Sequence, residues 1–145
     1  MTKLWILSAN SSRAALYAAD SPTGALTQIE SFENPDARAK QSDLSDDRPG
    51  RVYDSRGEGR HAMELEMDPK EREQLRFAKT LADVLEKGRV DHEFERVVLV
   101  ASPAFLGMLR ENLGDPMRAT VSLEVDKDYS ALRADELRAR LPDRL

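Results

Sequence analysis

The chain opens with a compact apolar run, Leu4-Trp5-Ile6-Leu7, that stops at the polar cluster Asn10-Ser11-Ser12. A short apolar run ending in turn-forming residues predicts a strand. Residues 13–20 carry Leu16 and Tyr17, and Ser21-Pro22-Thr23-Gly24 then places proline and glycine where a reverse turn needs them. In residues 25–33 the larger apolar groups Leu26, Ile29 and Phe32 do not alternate cleanly. A twisted or bulged strand is expected there rather than a helix. Three short strands joined by tight turns predict an antiparallel meander.

The pattern then collapses between Asn34 and Pro69, where Leu44, Val52, Tyr53, Met63, Leu65 and Met67 are the sizeable apolar groups. A connection of this length inside one domain is functional or disordered, and it is expected to be the most mobile and protease-sensitive part of the protein. Order returns at Asp68-Pro69-Lys70-Glu71, with an N-cap, a proline at the first helical position and an acid in the first turn. Leu75, Ala78, Leu81, Ala82 and Leu85 form one helical stripe, and Gly88 is expected to end the helix. Val97-Val98-Leu99-Val100-Ala101 is a continuous β-branched and aliphatic run, as in a central strand covered on both faces. Ser102-Pro103 opens a second helix through Phe105, Leu106, Leu109 and Leu113, closed by Gly114, with a turn at Asp115-Pro116. Residues 120–125 alternate, and a last helix carries Leu137 and Leu141. The expected order is β-β-β-α-β-α-β-α with a long loop after the third strand, one α/β domain over 1–145. Right-handed crossovers then put the fourth strand parallel to and beside the first in a mixed, ribonuclease-H-like sheet.

Composition narrows the function. The 145 residues include no cysteine, which removes disulfides, thiolate metal sites and cysteine nucleophiles. Lys and Arg number 22 against 27 acids, a net charge of −5 that argues against broad adhesion to nucleic acid or membrane. No apolar stretch reaches the length of a membrane span or a signal-peptide core, so a cytoplasmic protein without membrane insertion is expected.

Candidate chemistry is sparse. Metal-dependent nuclease chemistry needs converging carboxylates, yet residues 1–10 hold no acid and Asp20 and Asp126 are isolated near strand ends. His61 lacks a second histidine at helical spacing, and His92 lies in the charged stretch Asp91-His92-Glu93, so neither makes a metal motif. Ser102 reads as a helix cap. Gly57-Glu58-Gly59-Arg60 lacks the third glycine of a dinucleotide loop and the lysine of a phosphate loop. No cofactor is expected. The exception is the centre of the long loop, where Arg48, Arg51, Arg56 and Arg60 stand against Asp54 and Glu58. Arginines among Gly57 and Gly59 can approach a phosphate backbone closely, and Tyr53 and His61 can stack on bases. A solvated spacer accounts for the same residues equally well.

The runs Asp47-Arg48-Pro49-Gly50-Arg51, Gly59-Arg60-His61-Ala62-Met63-Glu64 and Asp68-Pro69-Lys70-Glu71 resemble a bacterial family of proteins required for attachment to host cells. Residues 97–110 and Glu124-Val125-Asp126-Lys127-Asp128 fit the same family. That family is in turn similar to the central domain of archaeal and eukaryotic peptide-chain release factors, whose Gly-Gly-Gln loop promotes ester hydrolysis on the ribosome. Here Gly59 stands for the second glycine, with Glu58 and Arg60 in place of the first glycine and the glutamine. The resemblance implies contact with ribosomal or transfer RNA by Arg56, Arg60 and His61. With that loop's glutamine, an acid cluster and a nucleophile motif absent, the expectation is a non-enzymatic cytoplasmic protein that binds RNA, a ribosome or a protein partner through Arg48, Arg51, Arg56, Gly57, Gly59, Arg60 and His61. The alternative it implies is a release-factor-like hydrolase acting on peptidyl-tRNA or a related ester.

Overall fold

Six consecutive buried residues, Leu4–Ala9, form the central strand β1, and burial on both faces follows from having partners on both edges. In the computed structural model, which describes residues 3–35 and 68–145, β1 pairs antiparallel with β2 (Arg13–Ala19) and parallel with β4 (Arg96–Ala101). Strand β3 (Thr27–Glu33) adds antiparallel to β2, and β5 (Val121–Val125) adds parallel to β4. The mixed sheet has the order β3-β2-β1-β4-β5. Residues 95–101 lie inside the sheet, beside the first strand and not on an edge.

Side-chain alternation along β1 divides the core in two. Trp5, Leu7 and Ala9 pack with Phe77, Leu81, Leu85, Phe105 and Leu109 on one face. Leu4 and Ile6 pack with Tyr17, Val98, Val100, Leu137 and Leu141 on the other. The first face is covered by helices α1 (Pro69–Val90) and α2 (Pro103–Glu111), the second by the short helix α4 (Ala134–Ala139). Arg138 on α4 fastens that thin cover. Its guanidinium donates to the carbonyls of Gly24 (3.0 Å), Pro142 (2.7 Å) and Asp143 (2.8 Å), tying the β2–β3 turn to the chain after α4.

Helix α1 starts as its sequence demands. The Asp68 carboxylate accepts the Lys70 N–H at 3.0 Å, and Pro69 takes the first helical position. Its end is a correction. Gly88 does not stop the helix but lies buried within its last turn, and the reason is close packing. A Cβ there would overlap the six-membered ring of Trp5 and come within 3.0 Å of the Phe94 ring, rings whose centroids are 4.8 Å apart. The helix stops two residues later. His92 adopts φ 58°, its N–H donates to the Arg89 carbonyl (3.1 Å), and the Glu93 N–H donates to the Gly88 carbonyl (2.9 Å). That is a Schellman ending with histidine where glycine is usual.

A second correction concerns residues 115–118. A helix of four residues, α3 (Asp115–Arg118), stands where a simple turn was expected, and Gly114 precedes it. Met117 is the reason for the extra turn, because it is 1% exposed and joins the main core. The described order therefore contains one helix more than expected.

Both outer strands are irregular. Pairing passes from Leu16↔Glu30 to Tyr17↔Gln28, leaving Ile29 as an extra residue in β3, as its uneven apolar spacing suggested. It passes from Val97↔Val121 to Val98↔Leu123 in β5, leaving Ser122 extra. Bulges of this kind twist an edge and oppose further strand pairing.

The Gly88 contact gives a direct test. Alanine there gains up to about 1 kcal/mol in helix propensity, but overpacking against Trp5 costs about 1–3 kcal/mol. Gly88→Ala is expected to lower the thermal midpoint and change Trp5 fluorescence, whereas an unchanged or raised midpoint would show that the ring moves aside freely.

Candidate binding site at the carboxyl edge of the sheet

Strands β1, β4 and β5 run in the same direction, so their carboxyl ends lie side by side. Ligands of open α/β sheets gather at such a rim, where connections diverge to opposite faces. The rim here comprises the β1–β2 turn, the start of α2 at Ser102 and the segment following Val125. Ser102 occupies the N-cap position, although its hydroxyl makes no capping bond.

Two asparagines organise the rim. Asn10 follows β1 and uses its whole amide. The oxygen accepts the N–H groups of Ser12 (2.8 Å) and Arg13 (2.9 Å), which shapes the turn. The nitrogen donates to Asp128 Oδ2 (3.0 Å) and Ser130 Oγ (3.1 Å), which binds that turn to the segment after β5. Ser130 closes the arrangement by donating its hydroxyl to Asp128 Oδ1 at 2.6 Å. Partial burial on its own raises the Asp128 pKa, but hydrogen bonds from Ser130 and Asn10, helped by the charge of Arg13, outweigh it and hold the carboxyl below its usual value.

Asn34 is the second. It is 4% exposed and follows β3. Its N–H donates to the Ser12 carbonyl at 2.8 Å, and its side-chain nitrogen donates to the Ser11 carbonyl at 3.1 Å and to the Glu73 carbonyl on α1 at 3.5 Å. The place where the chain leaves β3 is therefore fastened both to the β1–β2 turn and to the helix that begins at Pro69. The long connection departs from and returns to this same rim.

The residues singled out from sequence, Arg48, Arg51, Arg56, Gly57, Gly59, Arg60 and His61, lie outside the described residues, as do Tyr53 and Glu58. The isolated acids do not converge. Asp20 follows Ala19, which pairs with Leu4 at the amino end of β1, whereas Asp126 follows Val125, which pairs with Val100 near the carboxyl end of β4. About four residues of strand separate those levels, on the order of 13 Å. Among the described residues no three His, Asp or Glu side chains form a metal-ligating group. His92 sits exposed at the end of α1. Asn10 and Asn34 were not legible as organisers, because a turn asparagine carries the same sequence signal whatever its side chain reaches.

The arrangement defines a small α/β protein whose mixed sheet presents one rim, with a long connection anchored at it. The model of the family described as "Protein required for attachment to host cells" matches residues 5–141. The chain belongs to this family. Among solved structures, it is similar to two of the Ppx/GppA phosphatase family from Aquifex aeolicus. The type II variant gives a TM-score of 0.41 at 15% identity, covering 86% of this chain and 35% of that one. The other gives 0.39 at 15% identity, covering 84% and 34%. The chain thus spans about a third of the length of those structures. No curated protein matches.

The Asn10 network yields a pH-dependent expectation. A carboxyl whose pKa is depressed by folding stabilises the fold above its unfolded value, about 3.9 for aspartate. That contribution is lost as pH falls through the lower folded value. Asn10→Ala is expected to lower stability at neutral pH by about 1–2 kcal/mol. The deficit should shrink in acid, where protonated Asp128 no longer favours the Asn10 amide. Thermal melts of both proteins from pH 7 to pH 2.5 measure this, and a gap independent of pH would assign the whole effect to the turn.

Proposed function

We propose that this protein is a non-enzymatic, cytoplasmic member of the host-attachment family that binds RNA, on the ribosome or as tRNA, through the basic glycine-containing segment between β3 and α1. The observation that carries the reading is the fastening of both ends of this connection at the carboxyl rim. A segment held there emerges where an α/β sheet ordinarily presents its ligand-binding residues. Four arginines against two acids within 48–61 make it locally cationic on a protein of net charge −5. Arg48, Arg51, Arg56 and Arg60 supply phosphate contacts, Gly57 and Gly59 allow close approach, and His61 stacks on a base.

The sheet order β3-β2-β1-β4-β5, with a meander followed by two parallel strands, supports reading the fold as ribonuclease-H-like. The departures Glu58 and Arg60 favour binding over release-factor-like hydrolysis, because the side chain at 60 becomes a cation instead of an amide.

Fluorescence anisotropy with labelled tRNA, and co-sedimentation with ribosomes, test the proposal across a salt series. Affinity is expected to fall steeply with salt. Arg56→Ala/Arg60→Ala should weaken binding and reduce the logarithmic salt slope by about 2. Capture of a protein partner without any salt-dependent RNA binding would replace this reading with a protein-recognition one.

A further inference from the structure

We infer that the cavity between the β2–β3 turn and helix α4 is a binding site for a small planar aromatic carboxylate, independent of the function proposed above. The cavity has a volume of about 590 Å³, within the range of small-molecule sites. Its walls are apolar and short, with Ala25 and Leu26 from the turn side and Ala134 and Ala139 from α4. Leu26 is buried and belongs to the second core cluster, so that wall is backed by packed side chains. Arg133, Arg138 and Asp135 complete the lining. Two arginines against one acid make this lining cationic on a protein of net charge −5.

The two arginines offer a ligand different things. Arg138 donates from Nε to the Gly24 carbonyl (3.0 Å), from Nη1 to Pro142 (2.7 Å), and from Nη2 to Pro22 (3.3 Å) and Asp143 (2.8 Å). Guanidinium N–H groups lie in its plane, so these four carbonyls take up most of its edge. What remains for the cavity is its stem and its flat face, on which an aromatic ring stacks. The bonds already hold that face still, so stacking has little further to order. Arg133 is uncommitted. Its side chain is 76% exposed, and its pairs with Asp135 (3.8 Å) and Glu136 (3.9 Å) are too long for hydrogen bonds. Those carboxylates are engaged by backbone instead: Asp135 accepts the Glu136 N–H (3.0 Å) and Glu136 the Arg133 N–H (2.9 Å). The Arg133 fork is open to a bidentate carboxylate at the edge of the same cavity.

An aliphatic acid would leave the Arg138 face unused, and a neutral aromatic would leave Arg133 unused. Naphthoate meets both and serves as the probe, followed by NMR of protein labelled at the alanine methyls. Upfield ring-current shifts are expected at Ala25, Ala134 and Ala139, half-saturated near about 1 mM, as a ligand of that size and ordinary efficiency reaches. Arg133→Gln should weaken binding about fivefold, and Asp135→Asn, which removes the opposing charge, should strengthen it about twofold. Ala139→Phe changes an exposed position of α4 and should abolish binding by filling the cavity. Decahydronaphthoate, the saturated counterpart, should bind the wild type about threefold more weakly.

Absence of shifts at these three methyls at ten times that concentration would overturn the site. Wild-type affinity in a folded Ala139→Phe protein would put the probe elsewhere and overturn it too. Equal affinity for decahydronaphthoate would overturn stacking on Arg138, and with it the aromatic class. Equal affinity for naphthalenemethanol, which keeps the rings and lacks the charge, would overturn the part given to Arg133 and the carboxylate class.

Discussion

The parallel, in-register pairing of β1 with β4 is the constraint around which the other elements are arranged. Leu4 lies opposite Arg96, Ile6 opposite Val98 and Ala9 opposite Ala101. A parallel partner cannot follow through a hairpin, so the chain must travel back along the sheet before β4 begins. Helix α1 makes that return, and its buried residues Phe77, Ala78, Leu81, Ala82 and Leu85 cover the face that Trp5 and Leu7 present. Gly88 lets the helix settle onto the indole. The same pairing aligns the carboxyl ends of three strands, and so creates the rim that Asn10 and Asn34 organise.

The sequence made the elements legible wherever local chemistry decides them. Asp68-Pro69 marked a helix start because cap and proline act within one turn, and Val97-Val98-Leu99-Val100 marked a central strand because no polar face interrupts it. The irregular spacing of Leu26, Ile29 and Phe32 foretold the bulge. Misreadings arose where a distant residue decides. Gly88 carries the signal of a terminator, and only the proximity of Trp5, far upstream, gives it a packing role. Asp115-Pro116 carries the signal of a turn, and only the buried site for Met117 extends it to a helix. The arginines of 48–61, which lie outside the described residues, stood out in the sequence as local positive charge in a segment that lacks apolar periodicity. Asn10 and Asn34 did not, since their partners Asp128 and Glu73 lie far along the chain and hydrogen-bonding range is invisible to pattern.

The two faces of the sheet are unequally protected, and this shapes what each edge can do. Helices α1 and α2 form a thick layer over one face, while the six-residue α4 and the Arg138 ties hold the other. Strand β3 is an edge of the sheet, with six of its seven residues exposed. An exposed edge strand invites pairing with another molecule, and the extra residue at Ile29 together with Glu30 discourages it. Ser122 does the same for β5. Both sheet margins are thereby poorly suited to strand pairing.

The β1–β4 pairing also bears on the order in which the molecule assembles. Strands β1, β2 and β3 are neighbours in sequence and need only short turns to meet, but β1 and β4 join residues roughly ninety positions apart, and contacts at such separation form late because chain closure must precede them. Until then β1 has one edge unpaired and its Trp5 face uncovered. The strand most deeply enclosed in the finished protein is thus among the last to be enclosed. Newly made chains pass through an interval in which an aliphatic strand without a bulge is open to other molecules.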